Sequence, residues 1–162
     1  MELPDQRAIL TSFVMPLAFL PAASWSVGLM LSSEAGRGGI GLILHRGVVT
    51  YFGTVLSVFL LAASLYLLAP LFNLARDWAR AFQVAAFSSA PVLLAGLLLA
   101  IPNLAFSTLI GVFHSFYLQY SGVHYVLGAK EGDAAEYVAL VAVALVVAST
   151  FMGAAGSAAG IL

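Results

Sequence analysis

The chain has 162 residues, of which 62% are hydrophobic and only 8% are charged, against about 25% charged in an ordinary soluble domain. So few charges cannot cover a soluble surface, and the composition therefore predicts an integral membrane protein. The net charge of −1 excludes a basic surface for nucleic acid, and the absence of cysteine excludes disulfides and thiolate-held metals.

Charged residues divide the chain into long uncharged stretches, each with room for a spanning helix of about 20 residues. The stretch from 81 to 129 holds two such helices, because Pro102 disfavours helix at Ile101 and Pro-Asn is typical of a turn. The sequence thus predicts an all-α polytopic membrane protein with a single domain over 1–162. The predicted bundle has five transmembrane helices, at about 8–32, 48–70, 82–101, 104–127 and 135–159.

The first helix contains Pro16 and Pro21, which predict a bend with freed backbone carbonyls. Acidic residues outnumber basic ones before it, which predicts a retained helix rather than a cleaved signal. The glycine-rich stretch 32–47 is predicted to be a flexible outer loop, with His45 in water or at headgroup level.

The basic residues of the connections predict an orientation with the N-terminus in the cytoplasm and the C-terminus outside, because positive charge concentrates on the cytoplasmic side. In that orientation the inner side holds four basic residues and the outer side two: Arg7, Arg76, Arg80 and Lys130 against Arg37 and Arg46.

The fourth predicted helix is unusually polar. At 100° per residue, four of its polar residues fall within about 80° of one another, and a second face carries three more. This distribution predicts a helix mostly enclosed by protein. The first face consists of His114, Tyr117, Ser121 and His124, and the second of Ser115, Gln119 and Gly122.

His114 is the strongest candidate for a role beyond packing. It is either a hydrogen-bonded core histidine or a group that binds a ligand or handles protons, since histidine titrates near physiological pH. His124 lies about 15 Å further along the axis, so the two cannot share a metal ion. Ser121 lacks the glycines of a nucleophile elbow and no acid lies within a span, so no catalytic residue, metal or cofactor is expected.

Small residues line the end of the last predicted helix, and such rows let membrane helices approach closely. They predict either packing within the monomer or contact with a second copy or a partner subunit. In the third helix Ala95 and Gly96 are likewise expected to admit a close neighbour. The rows of the last helix are Gly156 and Gly160, in GxxxG spacing, and Ser149, Gly153 and Ser157.

Residues 79–150 resemble the Yip family of polytopic membrane proteins. Phe87, Ser88 and Pro91 match its aromatic–Ser–x–x–Pro element, and Tyr120 and Gly122 match its Tyr–x–Gly element. A loop lysine and an alanine-rich start to the last helix, "DAAEY", follow as in the family. The resemblance implies five helices, a cytoplasmic N-terminus and a C-terminus on the outer or lumenal side.

Eukaryotic members of this family work in ER–Golgi membranes and bind Rab GTPases through a long cytoplasmic region with an acidic element. That region has no counterpart in the short lead-in here, so Rab-related function is not expected. The alanine-rich form resembles the bacterial branch, which implies a multi-pass protein of the bacterial cytoplasmic membrane.

Three functions are compatible with these patterns. The first is a non-enzymatic membrane protein that acts by association, as a scaffold or accessory subunit, with the bilayer and other membrane subunits or a second copy as partners. The alternative is a passive transporter or channel lined by helices one and four. The third is a membrane enzyme or lipid-handling protein, which needs a pocket where His114 or His124 meets Arg76, Asp77 or Arg80.

Overall fold

The computed structural model describes residues 6–31 and 35–158, without the side chains of 31–38, 102, 103 and 105. Its regular elements are all helical in these residues, which confirms the predicted all-α class. The five main helices are α1 at 6–31, α2 at Ala35–Leu68, α3 at Trp78–Ala95, α4 at Thr108–Tyr125 and α5 at Glu131–Ala158. Short 3₁₀ segments adjoin them at Ala69–Phe72, Gly96–Ala100 and Pro102–Ser107.

The predicted bend in α1 takes the form of a π-helical segment, Leu10–Val14, between α-helical segments Gln6–Ile9 and Met15–Leu31. It directly precedes Pro16, whose ring collides with the carbonyl one turn earlier in a regular α-helix. A π-helical turn contains about one more residue than an α-helical turn, which relieves that collision. Its hydrogen bond spans five residues, from the backbone N–H of Met15 to the Leu10 carbonyl.

The predicted outer loop is wrong over its described part, because α2 already begins at Ala35. Glycine costs a helix only about 1 kcal/mol per residue, so glycines without a proline do not prevent it. The helix breaks once, at Gly39, whose φ of 63° and ψ of −177° suit only glycine. At 1.5 Å per residue α2 is about 51 Å long, so His45 lies beyond the hydrocarbon core when the other end is at the opposite surface. Residues 32–34 lie outside the described residues.

Helices α3 and α5 each begin four residues before the predicted start, and acidic residues explain both. The Asp77 carboxylate accepts from the Arg80 backbone N–H at 3.2 Å and caps α3. Glu131 and Asp133 lie in the first turn of α5, where negative charge complements the helix dipole. The predicted division at Pro102 is confirmed, since Ile101 is extended, with φ −116° and ψ 107°.

Successive helices run in opposite directions. Three close approaches show this for α3 and α4: residue 84 meets 122, residue 92 meets 115, and residue 95 meets 111. Helix α1 runs parallel to α3, with Pro21 against Gly96 and Gly28 against Leu99. In addition α1 packs on α2, and α5 packs on α2 and α4.

The buried core lies at the end of the bundle that holds the start of α1. It combines the beginnings of α1, α3 and α5 with the end of α2, and its largest fully buried side chains include Tyr137, Leu65 and Val14. Towards the other end side chains are largely exposed, for example Ile40 at 72% and Phe151 at 74%. The bundle is therefore tight at one end and open at the other.

Four stretches of the described residues are long and apolar enough to cross a membrane, namely Gln6–Met30, Gly39–Phe72, Trp78–Ala100 and Glu131–Ala158. The fourth predicted helix is present as α4, but its polar residues lower its hydropathy, so α4 is not among these four stretches. Length and composition alone thus give four candidate spans where the sequence predicted five.

Candidate functional site

The face of α4 that carries His114 points away from the bundle. His114 is exposed and its ring centroid lies 6.1 Å from that of Tyr117, which is 63% exposed. The neighbouring Ile110 and Phe113 are 74% and 72% exposed. This differs from the prediction of an enclosed polar helix, and the core-histidine interpretation does not hold, because packing uses the other face of α4.

Ser121 and His124, further along the same face, are half-buried. A ring nitrogen of His124, Nδ1, lies 2.8 Å from the Ala129 carbonyl oxygen in the turn to α5. Gly128 in this turn has a φ of 78°, which a glycine adopts without steric cost. The contact between His124 and Ala129 therefore stabilises the turn between α4 and α5.

The enclosed face of α4 carries Ser115 and Gln119, which line a cavity of about 230 Å³ between α2, α3, α4 and α5. Gln119 is only 5% exposed, and its side-chain nitrogen Nε2 is buried without a hydrogen-bond partner. Buried polar atoms are nearly always paired, which makes this amide unusual among the buried polar groups of the described residues. The remaining lining residues are Ser57, Leu61, Ser88, Ser89, Val92, Val112, Phe116, Ala142, Leu145 and Val146.

A hydrogen bond between helices lies beside the cavity. Pro91 is inside α3 and has no N–H, so it disturbs the backbone ladder around it. The next residue, Val92, donates its N–H to the Ser115 hydroxyl oxygen on α4 at 3.2 Å. A serine on a neighbouring helix is a usual partner for backbone groups at a transmembrane proline.

The matched aromatic–Ser–x–x–Pro and Tyr–x–Gly elements lie along the α3–α4 contact. Phe87 packs on Phe13 of α1 with ring centroids 5.0 Å apart, and the buried Ser88 donates to the Ala85 carbonyl at 3.3 Å. Tyr120 is half-buried against the core. A Cβ atom on Gly122 would lie 2.8 Å from a methyl carbon of Val84, so this glycine permits the contact.

The small residues of α5 line an open groove instead of a packed contact. Ser149, Gly153 and Gly156 face α2 across a cavity of about 710 Å³. A Cβ atom on Gly153, or on Gly53 of α2 opposite, would meet nothing within 4 Å. Among the described residues Gly153 therefore has no close neighbour, whereas Ala95 and Gly96 have the expected close neighbours in Gly111 and Pro21. Ser157 is exposed, and Gly160 lies outside the described residues.

A family model for the Yip1 domain matches residues 2–153. The chain belongs to the Yip1 family. The match confirms the resemblance seen in residues 79–150 and extends it over α1 and α2. No curated protein and no solved structure matches the chain.

Tyr137 is the residue of this Yip1 domain whose importance the sequence analysis missed. It is completely buried, its hydroxyl donates to the Leu65 backbone carbonyl of α2, and its ring lies 4.9 Å from that of Phe72. A tyrosine in the second turn of an otherwise apolar span is a signal, because its hydroxyl needs a partner when buried.

Charged and aromatic residues cluster where α2 ends and α3 begins. Arg76 lies over the Tyr66 ring at 5.9 Å, and Tyr66 also packs edge-on against Trp78. Arg80 pairs with Asp77 at 3.2 Å. Such a group of charged and aromatic residues is typical of a membrane interface. Neither His114 nor His124 is among the residues found in contact with it.

Proposed function

We infer that this Yip1 domain is a non-enzymatic, five-span protein of the bacterial cytoplasmic membrane that acts by association, as a scaffold or accessory subunit. It needs no cofactor in this role. The observation that carries the proposal is the groove between α2 and α5, which the described residues leave uncovered and whose glycines have room for a further helix.

Antiparallel packing supports α4 as the fifth span. The contacts with α3 extend from residues 84 and 122 to residues 95 and 111, which is about 16 Å along the axis. A helix in register with α3 over that distance lies at the same depth. Its polar groups at Ser115 and Gln119 turn inward, and Ile110 and Phe113 are free to meet lipid, so α4 can cross despite its low hydropathy.

The alternating helix directions also support the orientation. They bring the start of α1, the α2–α3 connection and the α4–α5 connection to one end, where Arg7, Arg76 and Lys130 lie. The belt of Tyr66 and Trp78 is at this same end. Positive charge is typical of the cytoplasmic side, whereas interfacial aromatics occur at both surfaces, so of these two features only the charge indicates the orientation.

Small-residue faces are where membrane helices associate, because close backbone approach adds van der Waals contact that lipid cannot match. The groove is bordered by Gly53 and Ser57 on α2 and by Gly153 and Gly156 on α5. No Asp, Glu, Lys or Arg lines it, and His45 lies at its outer end. We therefore propose a transmembrane helix as its occupant, from a partner subunit or a second copy.

The alternative of a passive path lined by helices one and four gains no support from the packing. Helix α1 packs against α2 and α3, whereas α4 packs against α3 and α5. The polar residues that were to line the path, His114 and Tyr117, face outward.

We expect Gly153→Leu with Gly156→Leu to release the partner helix, because two leucines fill the groove that it occupies. Ala155→Leu is the matched control: it adds the same side chain to the exposed side of α5, 200° from Gly153. Tagged variants purified in mild detergent are compared by light scattering and by mass spectrometry of co-purifying proteins. The control should keep the wild-type assembly and the double variant should lose it. Identical assemblies for all three proteins would refute the association face.

A further inference from the structure

The cavity around Gln119 contains a hydrogen-bond donor that the protein leaves unused. Three of its serines donate hydrogen bonds to carbonyls of their own helices: Ser57 to that of Thr54, and Ser88 and Ser89 to that of Ala85. Ser115 accepts from Val92. The Gln119 Nε2 atom is the one fully buried side-chain nitrogen or oxygen in the described chain without a partner.

We propose that this cavity binds a small, neutral, lipid-soluble molecule that presents one hydrogen-bond-accepting oxygen, such as a ketone, on an apolar body. The acceptor pairs with the Gln119 amide, and the body fills the space between Val112, Leu145 and Val146. This inference goes beyond the proposed association, which involves the groove between α2 and α5; the linings of the cavity and the groove share Ser57 alone.

The lining determines the chemical class of the ligand. No charged or titratable side chain borders the cavity, so a charged ligand would lie unpaired in a medium of low polarity, at high cost. Seven of the twelve lining residues are apolar. Water in a cavity needs two to four polar partners for each molecule, so water can occupy the region near Gln119 but is poorly held against the apolar walls.

Size and access are consistent with such a ligand. The cavity of about 230 Å³ exceeds the roughly 150 Å³ of an apolar cavity that accepts benzene, so one or two rings fit. Phe116 of α4 and Val146 of α5 line it while remaining 41% and 64% exposed. They mark an opening between α4 and α5, through which a molecule dissolved in the hydrocarbon reaches Gln119 sideways.

Photolabelling with benzophenone, a ketone on two rings, tests the proposal in the purified full chain in lipid vesicles. Ultraviolet light should place adducts on cavity residues of α4 and α5, mapped by mass spectrometry of peptides. Two competitors of the same ring system, 1-indanone with a carbonyl and indane without it, report on the hydrogen bond. We expect 1-indanone to suppress labelling at a concentration at least tenfold below that of indane.

Gln119→Leu should abolish this tenfold difference, because the donor is gone while the space remains. Gln83→Leu is the matched control: Gln83 is half-buried in α3 and does not line the cavity, so this variant should keep the difference. Ala142→Phe leaves Gln119 in place but fills the cavity, and should prevent labelling even where Gln119→Leu fails to fold.

Three results would overturn the proposal. Equal competition by indane and 1-indanone in the wild type would mean an apolar cavity without a role for the amide. Adducts confined to other surfaces, or none at all, would mean that the cavity holds water alone. Because none of these variants alters the groove of α5, loss of labelling and loss of association are read out separately.

Discussion

Gly111→Ala is expected to destabilise the bundle by about 1–3 kcal/mol, the usual cost of overpacking a tight contact. An added Cβ would lie 2.5 Å from Ala95 Cβ and 2.8 Å from the Pro91 carbonyl oxygen. The backbone oxygen cannot rotate aside, so α3 and α4 must separate. That separation also strains the hydrogen bond between Val92 and Ser115 and the cavity beside it.

Gly41→Ala in α2 is the control for this substitution, since a Cβ atom on Gly41 would meet nothing within 4 Å and Gly41 does not line the groove between α2 and α5. Replacing a glycine inside a helix by alanine in open space gains up to about 1 kcal/mol, so the two variants should change stability in opposite directions. Unfolding by SDS in mixed micelles, followed by circular dichroism, measures both. A Gly111→Ala protein as stable as Gly41→Ala would contradict the close contact between α3 and α4.

Tyr137→Ala is expected to cost about 3–5 kcal/mol, as for other large buried aromatic side chains. It leaves a cavity between α2 and α5 and removes the ring that packs on Phe72. Tyr137→Phe keeps the ring and removes only the hydroxyl that donates to the Leu65 carbonyl. We expect this second variant to cost about 1–3 kcal/mol, the penalty for a buried polar group without its partner.

Tyr125→Phe controls for the loss of a tyrosine hydroxyl, since Tyr125 is 82% exposed. This variant should unfold at the same SDS concentration as the wild type. Tyr137→Phe should be less stable than both, and Tyr137→Ala should be the least stable of the four proteins. If Tyr137→Phe equals the wild type, the hydroxyl contributes nothing and α5 is held to α2 by the ring alone.

Composition and charge spacing predicted the helical class, and the prolines predicted the division at Pro102 and a bend in α1, because each depends on local chemistry. Helix ends were less accurate where a capping residue was overlooked. Asp77 and Glu131 each start a helix earlier than the apolar stretches indicated. The glycine-rich stretch 32–47 predicts a flexible loop, but glycine alone does not end a helix, and only Gly39 interrupts α2.

The periodicity of α4 correctly separated two polar faces but could not tell which one the bundle encloses. The decisive signal was residue size. Gly111 and Gly122 flank Ser115 and Gln119 on the enclosed side, whereas Ile110 and Phe113 accompany His114 on the other. In a membrane the bulky apolar residues meet lipid and small residues meet helices, so residue size identifies the enclosed face where the distribution of polar residues does not.

The small residues of α5 show a further limit of the sequence. GxxxG spacing identifies a face that can approach another helix closely, but packing within the chain and packing on a partner give the same pattern. Gly96 contacts Pro21 of its own chain, whereas Gly153 has open space before it. Only the arrangement of the five helices distinguishes these two cases.

Cysteine labelling of the two ends of α4 tests the five-span arrangement most directly, and the chain has no cysteine of its own. Asn103→Cys, in the turn before α4, and Lys130→Cys, in the turn after it, are treated with a membrane-impermeant maleimide in sealed vesicles of both orientations. We predict that residue 130 reacts only from the cytoplasmic side and residue 103 only from the outer side. Reaction of both from the same side would show that α4 does not cross, and would contradict the proposed topology.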